Sequence, residues 1–237
     1  IPEGIYEIGY RGENFCYDNE LGVHKQYLNG AKIAQRLITN REYAGFIEDG
    51  GYEDALLWLS DGWEWRQNNN ITAPLYWKKV DGRWQYFTLH GMRVLDYAAP
   101  VSHISYYEAK AFARWANLRL PSEFEWEVAS KLNQNKNEKF NLLESNTYLP
   151  IPKKAGELKF IGNLWEWTES AYLPYPRYKQ EVGALGEYNG KFMVNQMVLR
   201  GGSFATPASH IRATYRNFYA PNMRWMFSGL RLAKDND

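Results

Sequence analysis

The stretch "PVSHISYYEAKAFARWANLRLPSEFEWEVAS" at residues 100–130 holds two start signals for helices. In each signal a serine is followed three residues later by a glutamate: Ser105 precedes Glu108, and Ser122 precedes Glu125. At this spacing the serine oxygen accepts the backbone N–H of the glutamate, while the carboxylate accepts the N–H of the serine. Apolar side chains at helical spacing follow at Ala109, Phe112, Ala116, Trp126 and Ala129. The stretch therefore predicts two helices, each with one buried face.

Two further patterns lie upstream. "TNREYAGFIEDGG" (residues 39–51) repeats the capping spacing with Thr39 and Glu42 and ends in a glycine pair, which predicts a third helix. "APLYWKKVDGRWQYFTL" (residues 73–89) alternates around Asp81-Gly82, which predicts a two-stranded hairpin. Three more strands are expected as partners of this hairpin, at "YEIGY" (6–10), "MVLRGGSF" (197–204) and "FSGLRLA" (227–233).

The rest of the chain is expected to be irregular. "SDGWEWRQNNNITAP" (residues 60–74) and "NLLESNTYLPIPKKAGELK" (residues 141–159) contain turn-forming Asn, Pro and Gly, and both are predicted to be loops. No linker rich in Pro or Ser and no internal repeat divides the sequence. We predict a single α+β domain over residues 1–237, with few helices, small sheets and much irregular structure.

Composition argues against several classes of partner. The 237 residues carry a formal net charge of +1, which gives no electrostatic reason to expect nucleic acid or an anionic membrane. No run of eighteen apolar residues occurs, so no transmembrane helix is expected. The single cysteine, Cys16, fits a reducing, cytoplasmic location. Since the sequence starts with neither a methionine nor a signal peptide, we expect a segment of a longer polypeptide.

Local signatures of catalysis are missing from the sequence. The four histidines are scattered, and no two of them have the spacing that presents two imidazoles to one metal ion. Cys16 has acidic neighbours, which raise the pKa of a thiol and make it a weaker nucleophile. The "RGGS" segment lacks the lysine of a phosphate-binding loop. We therefore predict neither a local metal motif nor an activated nucleophile.

The segment "LRGGSFATPASHIRATYRNFYAPN" (residues 199–222) alternates arginines with apolar residues. Arg200, Arg212 and Arg216 are therefore expected near apolar surface, where a guanidinium group needs a carboxylate, a carbonyl or an aromatic face. That partner is either the protein itself or a ligand, and the residues alone leave both readings open.

A binding surface built from loops is the remaining candidate site. Tyr188 precedes the turn signal Asn189-Gly190, and Asn217-Phe218-Tyr219 ends the arginine segment. Tyrosine hydroxyls and asparagine amides suit a small zwitterionic ligand that has an imidazole or a carboxylate. Ordinary turn and core roles are the alternative interpretation of the same residues.

Four sequence motifs follow one another along the chain: the stretch at residues 100–130, then "GNLWEWTES", "VLRGGSF" and "FSGLRLA". Together they resemble the formylglycine-generating-enzyme/sulfatase-modifying-factor domain. The resemblance implies a C-type-lectin-like α+β fold with small antiparallel sheets, and structural roles for Arg200 and Arg231. Copper-using members need a cysteine pair where this sequence has Thr206 and Ile211. Formylglycine generation is therefore not expected.

Five more strings are similar to one branch of that family, the ergothioneine-type sulfoxide synthases or hercynine oxygenases: "RLITNREYAGFIEDGGY", "LWLSDGWEW", "APLYW", "GEYNGKFM" and "RNF…RWMFSGLRLA". The resemblance implies a non-haem Fe(II) enzyme that uses O₂ to join the imidazole of trimethylhistidine (hercynine) to the sulfur of cysteine or γ-glutamylcysteine. In that branch the iron ligands belong to a preceding DinB-like helical domain, whose motif is absent here. We therefore expect a C-terminal substrate-binding domain that has no metal ligands of its own and is inactive alone.

Motif matches to the same branch suggest individual roles. Tyr188 is the candidate catalytic residue, because it lies near the loop that carries an active-site tyrosine in the family. The expected substrate-binding residues are Asn217, Phe218, Tyr219 and Arg216.

The match to the branch is incomplete at the position of the thiol donor. Members that use γ-glutamylcysteine have an acidic and a basic residue where Tyr219 and Met223 stand, so we expect cysteine as the sulfur donor. No calcium site is expected, because Lys159 stands where relatives offer an oxygen ligand. A non-catalytic, lectin-like binding or scaffold module remains the alternative function.

Overall fold

The structure, a computed structural model, describes residues 1–133, 139–154 and 157–236. These residues form four α-helices: α1 Asn40–Glu48, α2 Ser60–Asn68, α3 Tyr106–Trp115 and α4 Glu123–Leu132. They also form eleven strands: β1 Gly4–Ile8, β2 His24–Leu28, β3 Ala31–Ile33, β4 Trp77–Val80, β5 Arg83–Thr88, β6 Gly91–Val94, β7 Trp165–Ala171, β8 Met197–Arg200, β9 Asn217–Tyr219, β10 Ser228–Leu230 and β11 Ala233–Asp235. The longest helices, α3 and α4, have 10 residues, and no described helix is long and apolar enough to cross a membrane.

All three predicted capping boxes are confirmed. The hydroxyl oxygens of Thr39, Ser105 and Ser122 each accept the backbone N–H of the glutamate three residues later, and each glutamate accepts the N–H of its capping residue. The buried faces are also confirmed, since Phe112 and Trp126 are almost fully enclosed. Local sequence thus determines where α1, α3 and α4 begin.

The strands form four small sheets. The largest has the order β10-β7-β8-β9, in which β10 and β7 are parallel and the other pairs are antiparallel. Strands β1 and β2 pair with each other, β3 pairs with β11, and β4, β5 and β6 form a three-stranded sheet. Every pair outside the β10–β7 contact is antiparallel.

The predicted hairpin is confirmed as β4 and β5, with Asp81 and Gly82 at its turn. The prediction that the strands at residues 6–10, 197–204 and 227–233 pair with this hairpin was wrong. The hairpin pairs with β6, which follows it directly, whereas β1, β8 and β10 belong to other sheets. A short connection makes the neighbouring strand the easier partner, and the alternating pattern of a strand does not state which edge it joins.

The loop predicted over residues 60–74 was also wrong in its first part, where helix α2 lies. The run of asparagines that suggested a loop stands at the end of this helix. Trp63 and Trp65 pack against the main core, and Gly62 allows close approach, because a Cβ there would lie 2.7 Å from the Tyr107 ring. Tertiary packing therefore outweighs the weak local signal. The second predicted loop is irregular apart from a short 3₁₀ turn at Leu143–Ser145, and its residues 155 and 156 lie outside the described part.

The main core lies between α1, α3 and the four-stranded sheet. Tyr43 and Phe46 of α1 and Phe112 of α3 pack together, and Trp167 of β7 belongs to the same buried cluster. The sheet is therefore anchored in the core through its inner strands, while β9 lies at its edge.

Gly201 is a position where only glycine fits. Its φ is +94°, and a Cβ atom there would lie 2.5 Å from the carbonyl oxygen of Phe160. We expect Gly201→Ala to lower the free energy of unfolding by at least about 2 kcal/mol, because the backbone strain and the steric overlap add. Gly82→Ala is the matched control, since Gly82 also has a positive φ of +75°, but a Cβ added there would have no atom within 4 Å. Urea unfolding that gave equal losses for both variants would contradict this prediction.

Candidate functional site

Strand β9 brings three of the predicted site residues together at the open edge of the four-stranded sheet. Its register against β8 pairs Asn217 with Leu199, Phe218 with Val198 and Tyr219 with Met197. All three β9 residues are half-buried. A strand in this position has one paired edge, which fixes it, and one edge that is free to face a ligand or another domain.

The side chain of Asn217 is oriented by its own backbone. Its Oδ1 accepts the backbone N–H of Phe218 at 2.9 Å. Within the described part of the chain, no acceptor is found for the Nδ2 group. The Asn217 amide can therefore donate a hydrogen bond to a ligand, for example to the lone pair of an imidazole nitrogen.

Phe218 lies in an aromatic stack. Its ring is parallel to that of Tyr172, with centroids 4.0 Å apart and an interplanar angle of 8°. The ring of Phe192 approaches it at 5.8 Å. An aromatic face held this rigidly can attract a cationic group such as a quaternary ammonium.

Tyr219 contacts the ring of Trp225 edge-on, with centroids 5.3 Å apart. Burial raises the pKa of Tyr219, so its hydroxyl remains protonated at neutral pH and can act as a hydrogen-bond donor. Trp225 is exposed over 55% of its surface, and nearby in sequence Met223 is also exposed. This end of β9 therefore offers apolar contacts and a neutral hydroxyl.

The structure does not bring Tyr188 into contact with β9. It lies between two short 3₁₀ turns, Gly183–Glu187 and Gly190–Phe192, and is 69% exposed. Among the described residues it has no hydrogen bond and no ring contact. Phe192, four residues later, does contact a β9 side chain, the ring of Phe218.

Arg216 occupies a different environment from the β9 residues that follow it. It is 1% exposed, and its Nε and Nη2 donate to the two carboxylate oxygens of Glu123 at 2.9 and 3.0 Å. Its remaining bonds go to the backbone oxygens of Asn19 and Leu173. Its guanidinium carbon lies 3.8 Å from the ring centroid of Tyr175. The guanidinium group is therefore engaged by the protein itself, and it fixes the start of β9.

Helix α4 joins Arg216 and Arg200 through the buried carboxylate of Glu123, and its Glu127 also pairs with Arg200. Arg200 donates to Glu123 at 2.9 Å and to Glu127 at 3.0 Å, and it also donates to the hydroxyl of Tyr175 at 2.8 Å. Burial alone would raise the pKa of Glu123, but the charges of Arg216 and Arg200 outweigh it and lower that pKa. The carboxylate is thus charged at neutral pH and pairs with both guanidinium groups.

The other predicted arginines also have partners within the protein. Arg231 pairs with both oxygens of Glu166 at 2.8 and 2.7 Å, and Arg212 donates to Glu20 at 2.7 Å. These contacts answer the question left open by the sequence, because each guanidinium group finds a protein carboxylate. Structural roles for Arg200 and Arg231 fit this arrangement.

The part of the chain that the structure describes has no group of three or more His, Cys, Asp or Glu side chains able to hold a metal ion. His24 packs against Phe124 and Tyr175, and His103 lies in a separate aromatic pocket. The described residues therefore do not fit an iron centre.

Sequence reasoning missed three aromatic residues that shape the site. Tyr172 and Phe192 flank Phe218, and Trp225 contacts Tyr219. In the sequence they lie 46, 26 and 6 positions from their partners, so no periodic pattern could join them. Only the unusually high aromatic content, 16% of the chain, hinted at such a surface.

Comparisons with known proteins agree with this architecture. The model of the sulfatase-modifying factor enzyme 1-like (FGE-sulfatase) domain matches residues 1–236. The hercynine oxygenase of Mycobacterium tuberculosis is 35% identical over 92% of this chain and 56% of its own length. That of Mycolicibacterium thermoresistibile is 31% identical over 98% of this chain and 57% of its own length. The chain thus spans a little more than half of these relatives.

A solved structure shares the fold. PvdO from Pseudomonas aeruginosa superposes with a TM-score of 0.65 at 16% identity, covering 100% of this chain and 93% of PvdO. The predicted fold class is confirmed by this likeness together with the family match. The chain belongs to the family of sulfatase-modifying factor enzyme 1-like domains, the FGE-sulfatase family.

Proposed function

We propose that this chain is the C-terminal, substrate-binding domain of a non-haem-iron, O₂-dependent sulfoxide synthase of ergothioneine biosynthesis. The reaction would join the sulfur of a thiol to the imidazole of trimethylhistidine. The observation that supports this most strongly is identity of 30–35% to three hercynine oxygenases over 92–99% of this chain. The edge strand β9, with its amide donor and aromatic stack, is the surface that suits such a substrate.

Iron would have to come from outside the described residues, because they offer no suitable ligand cluster. We propose that a DinB-like helical domain supplies the iron ligands, either in the same polypeptide or as a separate partner. The apolar side chains exposed around β9, such as Phe192, Met223 and Trp225, give such a domain a surface to cover.

Different β9 side chains contact different parts of the trimethylhistidine molecule. Asn217 donates its Nδ2 hydrogen to an imidazole nitrogen, and the ring of Phe218 contacts the trimethylammonium group. Arg216 acts as a positioning residue, because Glu123 holds its guanidinium group and so fixes the backbone from which Asn217 projects. Tyr188 remains the candidate for proton transfer, on an exposed segment that would reach the site when a second domain docks.

The thiol end of the site is proposed to bind cysteine. Tyr219 and Met223 are uncharged, so they offer no partner to the extra ammonium and carboxylate of a γ-glutamyl group. Binding that group here would desolvate its charges without replacing their hydrogen bonds.

Thermal-shift titration with trimethylhistidine tests the binding role. We expect the melting temperature of the complete protein, including its iron-binding part, to rise with ligand concentration. Phe218→Ala is expected to weaken the apparent affinity by about tenfold, through loss of the cation–π contact. Phe15→Ala is the matched control, since Phe15 is an exposed phenylalanine, 64% accessible, that contacts Tyr17 and not β9.

For each variant, the shift is measured relative to the melting temperature of the same variant without ligand. A complete protein that shows no shift with trimethylhistidine would reject the enzymatic reading and favour the alternative, a non-catalytic binding or scaffold module. Equal affinities in Phe218→Ala and Phe15→Ala would reject the role given to strand β9.

A further inference from the structure

An aromatic pocket lies between the three-stranded sheet and the loop that precedes α3. Its cavity volume is about 130 Å³, and it opens to solvent. Its walls are mainly aromatic, and the residues used below are Tyr76, Phe87, His103, Tyr148, Trp225 and Phe227. None of its lining residues is Lys, Arg, Asp or Glu. A pocket with this lining favours an uncharged ligand, because a charged group would lose its hydration without gaining a partner.

Among the lining residues of this pocket, His103 has a buried polar atom without a partner in the described chain. It is 8% exposed, and its Nδ1 is buried with no hydrogen-bond partner among the described residues. Two aromatic rings hold the imidazole edge-on: Tyr76 at 4.9 Å and Phe227 at 5.3 Å between centroids. A buried polar atom without a partner costs free energy, and such atoms usually have a partner in the working protein.

Burial lowers the pKa of His103 to about 4, although the backbone carbonyls of Arg224, Trp225 and Met226 oppose this shift. The ring is therefore neutral at pH 7, with one nitrogen that carries hydrogen and one with a free lone pair. A hydroxyl group both donates and accepts, so it can pair with Nδ1 in either tautomer. A ligand with only an apolar surface leaves Nδ1 unsatisfied.

The backbone of the pocket wall is strained. Tyr76, His103 and Tyr148 have φ values of +73°, +60° and +51°, in the left-handed region that a bulky residue such as tyrosine rarely adopts. The described chain has ten non-glycine residues with positive φ, of which six are Asn or Asp and one is Arg177. The remaining three all line this pocket. Strain of this kind tends to gather where a site must be shaped in advance.

Two backbone hydrogen bonds keep the strained segments in place. The N–H of Leu75 donates to the carbonyl of His103 at 3.1 Å, and the N–H of Phe87 donates to the carbonyl of Tyr76 at 3.1 Å. They connect the loop before α3, the start of the hairpin and strand β5 around the cavity. These bonds hold the walls of the pocket in place, which lowers the ordering cost of binding.

We propose that this pocket binds a small, neutral, planar aromatic molecule that carries one hydroxyl group, with the hydroxyl hydrogen-bonded to Nδ1 of His103. The aromatic walls contact the ring of the ligand, and the imidazole selects the hydroxyl. The inference does not depend on the function proposed for β9. Trp225 links the two places, since it lines this pocket and contacts Tyr219.

The test compares 4-fluorophenol with 4-fluorotoluene, which have nearly the same shape but differ in the hydroxyl group. Fluorine NMR titrations of the chain are expected to show saturable binding, with 4-fluorophenol bound about fivefold more tightly or better. His103→Asn is expected to abolish this preference. Asparagine is chosen because it tolerates the positive φ at this position. His210→Asn is the matched control, because His210 does not line the pocket.

Absence of saturable binding, equal affinity for the two compounds, or a preference that survives in His103→Asn would each overturn the proposal. Circular dichroism establishes whether His103→Asn is folded. If this variant is unfolded, the unmodified protein provides the test. Intermolecular nuclear Overhauser effects from 4-fluorophenol to Trp225 and Phe227 would support the proposal, and their absence at saturation would overturn it.

Discussion

Glu123→Gln is expected to lower the free energy of unfolding by about 3–5 kcal/mol, because it leaves buried guanidinium groups without their shared counter-charge. The Glu123 carboxylate receives two bonds from Arg216 and one from Arg200, and all three side chains are almost fully enclosed. Arg200 keeps Glu127, but Arg216 loses its only charged partner within the described chain. Glutamine has nearly the same shape as glutamate, so the loss of unfolding free energy measures the effect of removing the charge.

Glu7→Gln is the control for this experiment. Glu7 pairs with Arg11 at 2.8 Å, but both side chains are largely exposed, and such pairs contribute at most about 1 kcal/mol. Chemical denaturation of both variants at neutral pH measures the difference. A loss at Glu123 that is no larger than the loss at Glu7 would show that the buried network does not stabilise the fold.

The same network predicts how stability depends on acid. The pKa of Glu123 in the folded chain lies below its ordinary value of 4.5. Folding therefore favours the ionised form, and the stabilisation is complete above pH 4.5 and is lost as the pH falls through the lower, folded-state pKa. Glu123→Gln is expected to flatten the acid limb of a stability–pH curve. An unchanged acid limb in this variant would contradict the assignment.

The double variant Tyr219→Asp, Met223→Arg is expected to change the thiol preference of the complete enzyme. An acidic and a basic side chain would supply partners for the ammonium and carboxylate of a γ-glutamyl group. With about 1.5 kcal/mol for each hydrogen bond to a charged group, the ratio of kcat/KM for γ-glutamylcysteine over cysteine rises by about 100-fold. The half-buried Tyr219 and the 38%-exposed Met223 both lie where a charged side chain can reach water.

The control is Tyr219→Asn, Met223→Gln, which puts uncharged polar side chains at the same two positions. Steady-state kinetics with both thiols, at saturating trimethylhistidine, distinguish the pairs of substitutions. An equal change in both double variants would mean that removal of Tyr219 and Met223, and not the introduced charges, alters the thiol preference. No change in either would mean that the thiol binds elsewhere.

Helix starts could be predicted because their signals are local. The capping pairs at Thr39, Ser105 and Ser122 need only a spacing of three residues, and each one starts a helix. Helix α2 has no such cap: Leu59 occupies that position and makes no side-chain hydrogen bond. Its stability comes from Trp63 and Trp65 packing on the core, a contact that no local pattern encodes.

The partners of the arginines were beyond the reach of sequence reasoning. Arg200 and Glu123 are 77 positions apart, and Arg216 and Glu123 are 93 apart, so the pairing depends on α4 lying across the sheet. The sequence established that these arginines needed acceptors near apolar surface. It could not state whether the acceptor was a protein carboxylate or a ligand.

The candidate site was predicted in part. Asn217, Phe218 and Tyr219 do share the edge strand β9, because consecutive residues of one short strand must lie together. Their aromatic surroundings depend on distant segments, as the parallel stack of Phe218 on Tyr172 illustrates. The separation of Tyr188 from this strand follows from its place between two short 3₁₀ turns.

The pairing of β3 with β11 has a consequence for how the chain reaches its native state. Ile33 is the partner of Ala233, 200 positions later, and β10, which precedes β11 along the chain, pairs with β7. Contacts so distant along a chain form slowly, since a long loop must close first. Until β10 arrives, β7 presents an unpaired edge beside the tryptophans Trp165 and Trp167. A strand edge that is still unpaired is open to pairing with other chains, so we expect this domain to be most prone to aggregation before its C-terminal strands are in place.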